Sequence, residues 1–224
     1  VNRSNGCLIK SIFNDLNLIC NHPYLHKGAQ QNVLLCKKFS DLSKEADSLT
    51  DFSQKALIES SSKMKFLDKL VNHIKLHKKK NGRLIVFSHN EEVLNIIQEY
   101  FENRRIFFDR IGSSIRGEQR NKAIMKFNMI GSIDFAFLVC LKGGIDGIKL
   151  NNASDAVLFD TDWNPIKDIE VILNIIDSDE LNIYRLLPSR SIERLTYDRS
   201  ILKSTYSETD KLTFNGEISG IAHW

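Results

Sequence analysis

The stretch Leu84-Ile85-Val86-Phe87-Ser88 is a run of apolar residues that ends in a serine. A continuous apolar run of this length, rich in branched and aromatic side chains, is typical of a strand buried on both faces. It is followed by Glu91 to Phe101, where apolar residues recur at helical spacing. We therefore predict a buried strand over Leu84 to Phe87 and a helix over Glu91 to Phe101 that packs on the sheet.

The same alternation of short apolar runs and amphipathic stretches continues through most of the chain. Further strands are predicted at Ile106 to Ile111, Phe135 to Cys140, Ala156 to Asp160 and Asn182 to Leu187, and further helices at Gly117 to Phe127, from Pro165 onward, and from Ser191 to about Ser204. Short strands separated by helices imply a mostly parallel sheet covered on both faces. The predicted fold is a three-layer α/β domain, whose functional loops follow the carboxyl ends of the strands.

The residues before this alternation have a different character. A short apolar helix is predicted from Leu8 to Cys20, followed by a polar linker around Ser40 to Ser53. From Ser62 apolar residues recur at helical spacing behind a serine-rich cap. We therefore divide the chain into a helical lead-in and linker over 1–61, an α/β lobe over 62–187, and a brace helix with a polar tail over 188–224.

Composition narrows the classes of protein to which the chain can belong. Its 224 residues are 42% hydrophobic and 26% charged, which excludes a disordered or collagen-like chain. The longest apolar runs, such as Phe135 to Leu141, are far shorter than the ~18 residues of a membrane span, and we expect no membrane partner. The 31 Lys and Arg against 28 Asp and Glu give a net charge of only +3. A nucleic-acid partner must therefore be argued from local sites.

Two sets of residues have spacings that can suggest metal binding. Cys20, His22 and His26 are close in sequence, but a closed zinc site needs four ligands and no fourth is nearby. We predict no metal site there. Asp160 and Asp162 follow a predicted strand, and we assign them a structural role, capping the helix that begins at Pro165 and fixing the strand end.

Several segments, in order, resemble motifs of one family. They are Ile19-Cys20-Asn21-His22-Pro23-Tyr24-Leu25, Leu84-Ile85-Val86-Phe87-Ser88, Arg110 to Arg120 in the place of R-[IL]-D-G-x-x-x-x-x-x-R, Phe159-Asp160-Thr161-Asp162-Trp163-Asn164-Pro165 beside D-S-D-W-N-P, and Tyr184-Arg185-Leu186 beside Y-R-L. Together they resemble the second RecA-like lobe, the helicase C-terminal lobe, of the SNF2 chromatin-remodelling ATPases. Within that family, Ala56-Leu57-Ile58 is similar to the chromodomain-helicase type.

The resemblance implies that two lobes each contribute residues to one ATPase site. In the family the first lobe supplies the phosphate loop and the carboxylates that hold Mg²⁺, and the second lobe supplies arginines that neutralise the γ-phosphate of ATP. This chain contains no Gly-Lys dipeptide and so no G-x-x-x-x-G-K-[ST] loop. It begins at Val1 rather than methionine, which suggests a piece of a longer protein, and a first lobe upstream of Val1 belongs to the alternative of a working remodeller.

The motif that carries the family's arginines is altered here. At the offset of A-R-A-H-R-I-G-Q after D-W-N-P, this chain reads Leu173-Asn174-Ile175-Ile176-Asp177-Ser178-Asp179-Glu180. The arginine positions therefore fall on Asn174 and Asp177. Because a carboxylate beside a triphosphate is repulsive, we expect no catalytic residues here, no ordinary ATP hydrolysis, and no cofactor for this chain alone, although ATP and Mg²⁺ belong to the family.

Candidate nucleic-acid contacts come from two loops that touch the DNA backbone in the family. They are Arg110, Arg116, Lys142, Gly143 and Gly144. The glycines resemble those of T-R-A-G-G-L-G-I-N-L, but the threonine and arginine are lost, and the R-[IL]-D-G segment has lost its Asp. Backbone N–H groups of such a loop can bind a phosphate. The alternative is a turn after a buried strand, with the arginines as solvated surface charge.

The chain retains D-W-N-P but has lost the arginines of the motif that follows, and in this it resembles the plant Morpheus'-molecule silencing proteins. The resemblance implies a degenerate, non-catalytic interaction module of a nuclear chromatin protein, acting in transcriptional gene silencing. DNA or nucleosomes, chromatin proteins and, if it is present upstream, a first RecA-like lobe are the expected partners. Two alternatives stay open, namely the second lobe of a working ATP-dependent remodeller and a truncated gene copy without function.

Overall fold

The computed structural model of this chain describes residues 2–29, 49–77, 82–113, 115, 117–143, 145, 147–151, 153–162, 164–178 and 180–207. The helices are α1 (Asn2–Asn21), α2 (Leu49–Glu59), α3 (Ser62–His77), α4 (Glu91–Asn103), α5 (Glu118–Asn128), α6 (Pro165–Ile175) and α7 (Ile192–Ser207), with a 3₁₀ turn at Pro23–Leu25. The strands are β1 (Leu84–Ser88), β2 (Phe108–Ile111), β3 (Ala136–Cys140), β4 (Leu150–Asn151), β5 (Asp155–Leu158), β6 (Ile176–Asp177) and β7 (Asn182–Arg185).

Five strands form the central sheet, in the order β2-β3-β1-β5-β7. Every described pair in it is parallel, and β1 lies in the middle, with Phe87 opposite Val139 of β3 and Leu158 of β5. The apolar run from Leu84 is therefore the central strand, buried along its whole length. The predicted parallel sheet is confirmed.

Helices cover both faces of this sheet. Because successive side chains of a strand point to opposite faces, Leu84 and Val86 pack with residues of α3 and α4 on one side. Ile85 and Phe87 pack on the other side with Phe127 of α5 and with α6. The two cores give the three layers that the sequence predicts, with the helical lead-in α1 and the C-terminal helix α7 added to them. Among the described helices, none has a stretch long and apolar enough to cross a membrane.

Local capping explains where two of the helices begin. The Asn90 side chain accepts a hydrogen bond from the Glu92 N–H at 2.9 Å and starts α4. Pro165 occupies the first turn of α6, as predicted. The predicted cap of α6 is wrong, however, because Asn164, and not an aspartate, accepts the hydrogen bond from Lys167 N–H. Asn164 directly precedes the proline, which is the position a capping side chain needs.

The structure departs from the predicted elements in two main places. The predicted polar linker around Ser40 to Ser53 is helical from Leu49, where α2 begins, while its first part lies outside the described residues. Burial of Ala56 and Leu57 against the lobe explains that helix. The two-residue strands β4 and β6, which pair in parallel, were not predicted because so short a segment has no periodicity. The tail 208–224 lies outside the described residues.

Candidate functional site

Two loops at the carboxyl edge of the sheet are in direct backbone contact. Gly143, just after β3, lies against Gly112 and Ser113, just after β2. A Cβ atom on residue 143 would lie 2.9 Å from the carbonyl carbon of Gly112 and 2.9 Å from the nitrogen of Ser113. Both neighbours are backbone atoms, which cannot move aside without shifting a loop. Glycine is therefore required at position 143 to bring the two loops together.

A carboxylate from α4 holds the loop that follows β2. Glu91 accepts hydrogen bonds from the N–H of Ser113 at 2.5 Å, the hydroxyl of Ser113 at 2.9 Å, and Arg110 Nη2 at 2.6 Å. Burial alone would raise the pKa of Glu91, but the hydrogen bonds from Ser113 and Arg110 outweigh it and lower the pKa. The carboxylate is therefore the stable form of this side chain.

The same carboxylate lies beside Gly112, which stands at the Asp position of R-[IL]-D-G. A Cβ atom on Gly112 would lie 2.5 Å from Glu91 Oε1. The carboxylate of Glu91, on α4, thus lies in the space that a side chain at position 112 would need. The missing Asp is visible in the sequence, whereas the position of Glu91 beside Gly112 was not predicted.

Arg110 lies on β2, and its guanidinium group is directed onto α4. Besides Glu91, it donates to Asn95 Oδ1 at 2.7 Å and to Gln98 Oε1 at 2.9 Å, and its side chain is 15% exposed. Three acceptors on one helix therefore hold the charge of Arg110 within the lobe. Contact between Arg110 and nucleic acid stays a prediction.

The remaining nucleic-acid candidates lie around the loop after β3. Lys142 is exposed at the start of that loop, and Gly143 donates its N–H to the carbonyl of Cys140 at 3.1 Å in a turn. Arg116 and Gly144 lie outside the described residues. The structure thus brings Lys142 and Gly143 to the carboxyl edge, beside the loop that follows β2, the strand of Arg110. Their role in binding stays a prediction.

The two positions that hold arginines in the family lie next to the end of the glycine-containing loop that follows β3. Asn174 is exposed in the last turn of α6, and Asp177 is exposed on β6. Strand β6 pairs with β4, which follows the loop, so that Asn151 lies opposite Asp177. Lys149 Nζ also donates to the carbonyl oxygen of Asn174 at 2.8 Å. Two motifs that were recognised separately in the sequence are therefore neighbours in space.

Asp160 joins the end of β5 to the end of β1. Its carboxylate accepts a hydrogen bond from the hydroxyl of Ser88 and one from the N–H of His89, both at 2.7 Å, and the residue is 5% exposed. Hydrogen bonds to a buried carboxylate of this kind fix the relative position of two strand ends. Of the two roles predicted for the aspartates, Asp160 has the one at the strand end.

A buried group of charged side chains beside Asp160 was not found by sequence reasoning. His89 Nε2 lies 3.0 Å from Asp168 Oδ1, and Arg185 Nη1 donates to Asp168 Oδ2 at 3.1 Å. Burial would lower the pKa of His89, but the hydrogen bond to Asp168 and the charges of Asp160, Asp168 and Asp162 outweigh it and raise the pKa. Burial would raise the pKa of Asp168, but His89 and Arg185 outweigh it and lower that pKa. The group joins β1, α6 and β7.

A second buried ion pair fastens the lead-in to the lobe. Lys63 Nζ donates to Asn21 Oδ1 at 2.6 Å, to the carbonyl oxygen of Phe159 at 2.7 Å and to Glu193 Oε1 at 2.9 Å. The side chains of Lys63 and Glu193 are 2% and 3% exposed. Burial raises the pKa of Glu193, although the positive charge of Lys63 opposes that effect. One ammonium group thereby connects α1, α3, α7 and the end of β5.

His22, one of the residues with metal-like spacing, makes hydrogen bonds with both ring nitrogens. Nδ1 accepts from the N–H of Tyr24 at 3.1 Å, and Nε2 lies 2.9 Å from the carbonyl oxygen of Leu57. Burial lowers the pKa of His22. A neutral ring that donates from Nε2 satisfies both contacts and connects the 3₁₀ turn to α2. Within the described ranges, no group of three or more His, Cys, Asp or Glu side chains is placed to hold a metal ion.

Comparison with known proteins agrees with the resemblance drawn from the motifs. Residues 62–174 match the family model described as "Helicase conserved C-terminal domain". In the solved structures, the C-terminal part of the Fun30 ATPase domain superposes with a TM-score of 0.59 at 24% sequence identity, covering 83% of this chain and 56% of that one. That likeness shows a shared α/β RecA-like fold.

Curated relatives are named as chromodomain-helicase-DNA-binding proteins. Protein 9 of Homo sapiens is 33% identical over 210 residues, which cover 92% of this chain and 7% of the relative. Protein 7 of Gallus gallus is 35% identical over 192 residues, covering 84% and 6%. Protein 8 of Danio rerio is 35% identical over 193 residues, covering 84% and 7%.

The chain thus spans about 7% of the length of the curated relatives it matches. The matched family model covers half of the chain, the fold agrees with that of the Fun30 lobe, and the motif positions fall in the expected elements. The chain belongs to the helicase C-terminal domain family, as a lobe of the SNF2 type found in chromodomain-helicase-DNA-binding proteins.

Proposed function

We propose that this lobe is a non-catalytic interaction module, a pseudo-ATPase, of a nuclear chromatin protein that acts in transcriptional gene silencing. The observation that carries the proposal is the pair Asn174 and Asp177, which occupy the two arginine positions and are both exposed. An amide and a carboxylate supply no positive charge to a γ-phosphate. Loss of one such arginine typically lowers the rate of phosphoryl transfer by ~10³ or more.

The residues present do not fit the role that the family gives this lobe toward ATP and Mg²⁺. A nucleotide approaching the β4 and β6 strands would meet the carboxylate of Asp177, which repels a triphosphate. The nearby cation Lys149 donates to the carbonyl of Asn174. We therefore derive no hydrolytic step for this lobe.

Binding to DNA or nucleosomes is the interaction that the carboxyl edge supports best. Lys142 is exposed, and the glycine at 143 brings its loop against the loop after β2. The positive charge of an exposed lysine suits a phosphate, whereas the N–H groups of Gly143 and Ser113 already donate to Cys140 and Glu91. Arg116 and Gly144 belong to the same proposed contact by sequence, while the guanidinium of Arg110 is already bonded to α4. Chromatin proteins are the other class of partner.

Nucleotide dependence of binding tests the non-catalytic role. The longest natural form of the protein is titrated with mononucleosomes, with and without ATP and Mg²⁺. A non-catalytic lobe predicts the same Kd in both conditions. A change of about tenfold or more, equal to about 1.4 kcal/mol, would contradict the proposal, because it requires nucleotide to be coupled to this lobe.

Silencing is tested by replacement of the protein in its own cells. Removal of the protein is expected to reactivate a silenced reporter gene. A form with both Asn174→Ala and Asp177→Ala is expected to restore silencing fully, since neither residue takes part in ATP hydrolysis in the proposed function. Failure of that form, with normal expression and nuclear localisation, would contradict it.

A second candidate function is the second lobe of an active ATP-dependent remodeller whose first lobe lies upstream. The identity of 33–35% to chromodomain-helicase-DNA-binding proteins along most of the chain favours it. In that case, a group from elsewhere in the protein neutralises the γ-phosphate in place of the missing arginines. The coding sequence before Val1 discriminates between the two, since an intact G-x-x-x-x-G-K-[ST] loop and a D-E-x-H box there would favour the motor.

A further inference from the structure

The two carboxylate oxygens of Glu91 have different partners. Oε1 accepts hydrogen bonds from the N–H and the hydroxyl of Ser113, and Oε2 accepts one from Arg110 Nη2. Glu91 is the first residue of α4, directly after the capping side chain of Asn90, so its backbone is fixed by the start of that helix. One oxygen therefore holds the loop after β2, and the other holds the strand itself.

The peptide group between Gly112 and Ser113 touches both this carboxylate and the loop after β3. Glu91 Oε1 lies 2.5 Å from the place of a Cβ atom on Gly112, and a Cβ atom on Gly143 would lie 2.9 Å from the nitrogen of Ser113. Contacts this close leave neither loop free to shift alone. The place at which Glu91 holds Ser113 therefore also determines where Gly143 and its neighbour Lys142 can lie.

Glu91 also lies beside the end of β3, from which the second loop leaves. Burial raises the pKa of the Cys140 thiol, a hydrogen bond from the backbone of Lys142 opposes this effect, and the charge of Glu91 and its hydrogen bond raise the pKa further. The carbonyl oxygen of Cys140 accepts the N–H of Gly143. One carboxylate is thus adjacent to the ends of both strands.

Glu91 has the same sign of charge as a phosphate, and direct contact between the two is repulsive. Its charge is matched by Arg110 at 2.6 Å, and the guanidinium of Arg110 also donates to Asn95 and Gln98. Any favourable effect of Glu91 on DNA binding must therefore act through the groups that it holds.

We propose that Glu91 is a positioning residue for the phosphate backbone of duplex DNA at the carboxyl edge. It fixes the loop after β2, and the loop after β3 packs on that loop and places the ammonium group of Lys142. The inference rests on the proposed DNA contact and names the residue that sets its geometry. Phosphates occupy set places along a duplex, and a lysine that contacts them has to be held at a matching place.

Substitutions in the first turn of α4 separate positioning from charge. Glu91→Ala removes both sets of hydrogen bonds, whereas Glu91→Gln keeps an oxygen for Ser113. Glu92→Gln is the matched control, because Glu92 is the exposed neighbour and loses the same charge. Binding of the full chain to duplex DNA is measured by fluorescence anisotropy over a range of salt concentrations. The Glu91 side chain is 31% exposed, so the fold is expected to survive, and thermal melts check it.

Coulomb's law alone predicts that removal of a carboxylate tightens binding to DNA. Positioning predicts the opposite, namely a Kd that rises about fivefold or more with Glu91→Ala. Both Glu91→Gln and Glu92→Gln are expected to stay close to the wild type. In a Lys142→Ala background, Glu91→Ala is expected to have a much smaller effect, because it acts through that lysine. If Glu91→Ala does not fold, Ser113→Ala takes its place, with a smaller rise in Kd.

Tighter or unchanged binding with the loop held less firmly would overturn the proposal. Equal Kd values for Glu91→Gln and Glu91→Ala, or additive effects of Glu91→Ala and Lys142→Ala, would overturn it too. If Lys142→Ala itself left the Kd unchanged, the proposed DNA contact would fail together with the positioning role. Weaker binding with Lys142→Ala but not with Glu91→Ala would leave that contact standing and remove the positioning role alone.

Discussion

At the scale of single residues, Gly143 decides how closely the two carboxyl-edge loops approach. Its neighbours at 2.9 Å are backbone atoms of Gly112 and Ser113. Gly143→Ala is therefore expected to lower the free energy of unfolding by about 1–3 kcal/mol, because added volume in a tight contact forces backbone shifts. Urea denaturation of the chain measures the loss, with Lys142→Ala as the neighbouring control. Equal stability of Gly143→Ala and the wild type would show that the loops are not in contact.

The buried group around His89 predicts a pH dependence of stability. The pKa of His89 is raised in the folded state, so protonated His89 stabilises the fold below its ordinary pKa of 6.5, and this contribution is lost as the pH rises through the folded pKa. The pKa of Asp168 is lowered, so its contribution is present above its ordinary value of 3.8 and is lost as the pH falls through the folded pKa. The stability due to this pair is therefore greatest between those two ordinary values.

Denaturation curves recorded from pH 6 upward test the upper limit of that range. The stability of the wild type is expected to fall as His89 loses its proton, and His89→Gln is expected to flatten this part of the profile. Parallel profiles for the two proteins would show that His89 is not charged in the folded state.

The partners of these residues could not be predicted from the sequence. His89 and Asp168 are 79 positions apart, and Lys63 and Glu193 are 130 positions apart. Each was visible as a charged residue near a strand or helix end, but pairing depends on how the sheet orders its strands. Glu91 shows the same limit, since motif comparison detects the absent Asp and cannot detect that a carboxylate from a helix lies beside that position.

At the scale of elements, the buried ammonium group of Lys63 connects the lead-in to the lobe. Replacing Lys63 with methionine leaves Glu193 buried without its cation, since its side chain is only 3% exposed. Breaking a buried pair in this way typically costs about 3–5 kcal/mol, and we expect a loss of that size in urea denaturation. The double variant Lys63→Met/Glu193→Leu is expected to recover much of it.

The matched control is Lys65→Met on the same helix. Lys65 lies 2.7 Å from Glu59, but both side chains are 37% exposed. Pairs at the surface contribute about 0–1 kcal/mol. If Lys63→Met lowered the free energy of unfolding no more than Lys65→Met, the buried ion pair would not stabilise the connection between the lead-in and the lobe.

Elements with a strong apolar pattern were predicted, and those without one were not. Strand β1 and helix α4 were identifiable because burial on two faces and on one face leave different periodicities in the sequence. Helix α2 was missed in part because a serine-rich, polar segment becomes helical only through the burial of Ala56 and Leu57. Strands β4 and β6 are two residues each and result from tertiary contact between two loops.

At the scale of the whole molecule, the proposed DNA contact predicts the effect of one exposed lysine. Lys142→Ala is expected to weaken binding to duplex DNA for all sequences and to reduce the salt dependence of log Kd by about one ion. Fluorescence anisotropy over a range of salt concentrations measures both. Lys122→Ala is the control, since Lys122 is 72% exposed on α5 and lies 2.8 Å from Glu118. Equal effects of the two substitutions would show that the DNA-binding site does not lie at the carboxyl edge.

In the proposed function, the lobe does not support ATP hydrolysis, because an amide and a carboxylate stand at the arginine positions. ATP hydrolysis by the longest natural form, with and without nucleosomal DNA, tests it most directly. We expect background hydrolysis, no stimulation by DNA, and the same result for Gly143→Ala. Stimulated hydrolysis by the wild type that Gly143→Ala or Lys142→Ala abolishes would contradict the claim, because this lobe would then be half of a working motor.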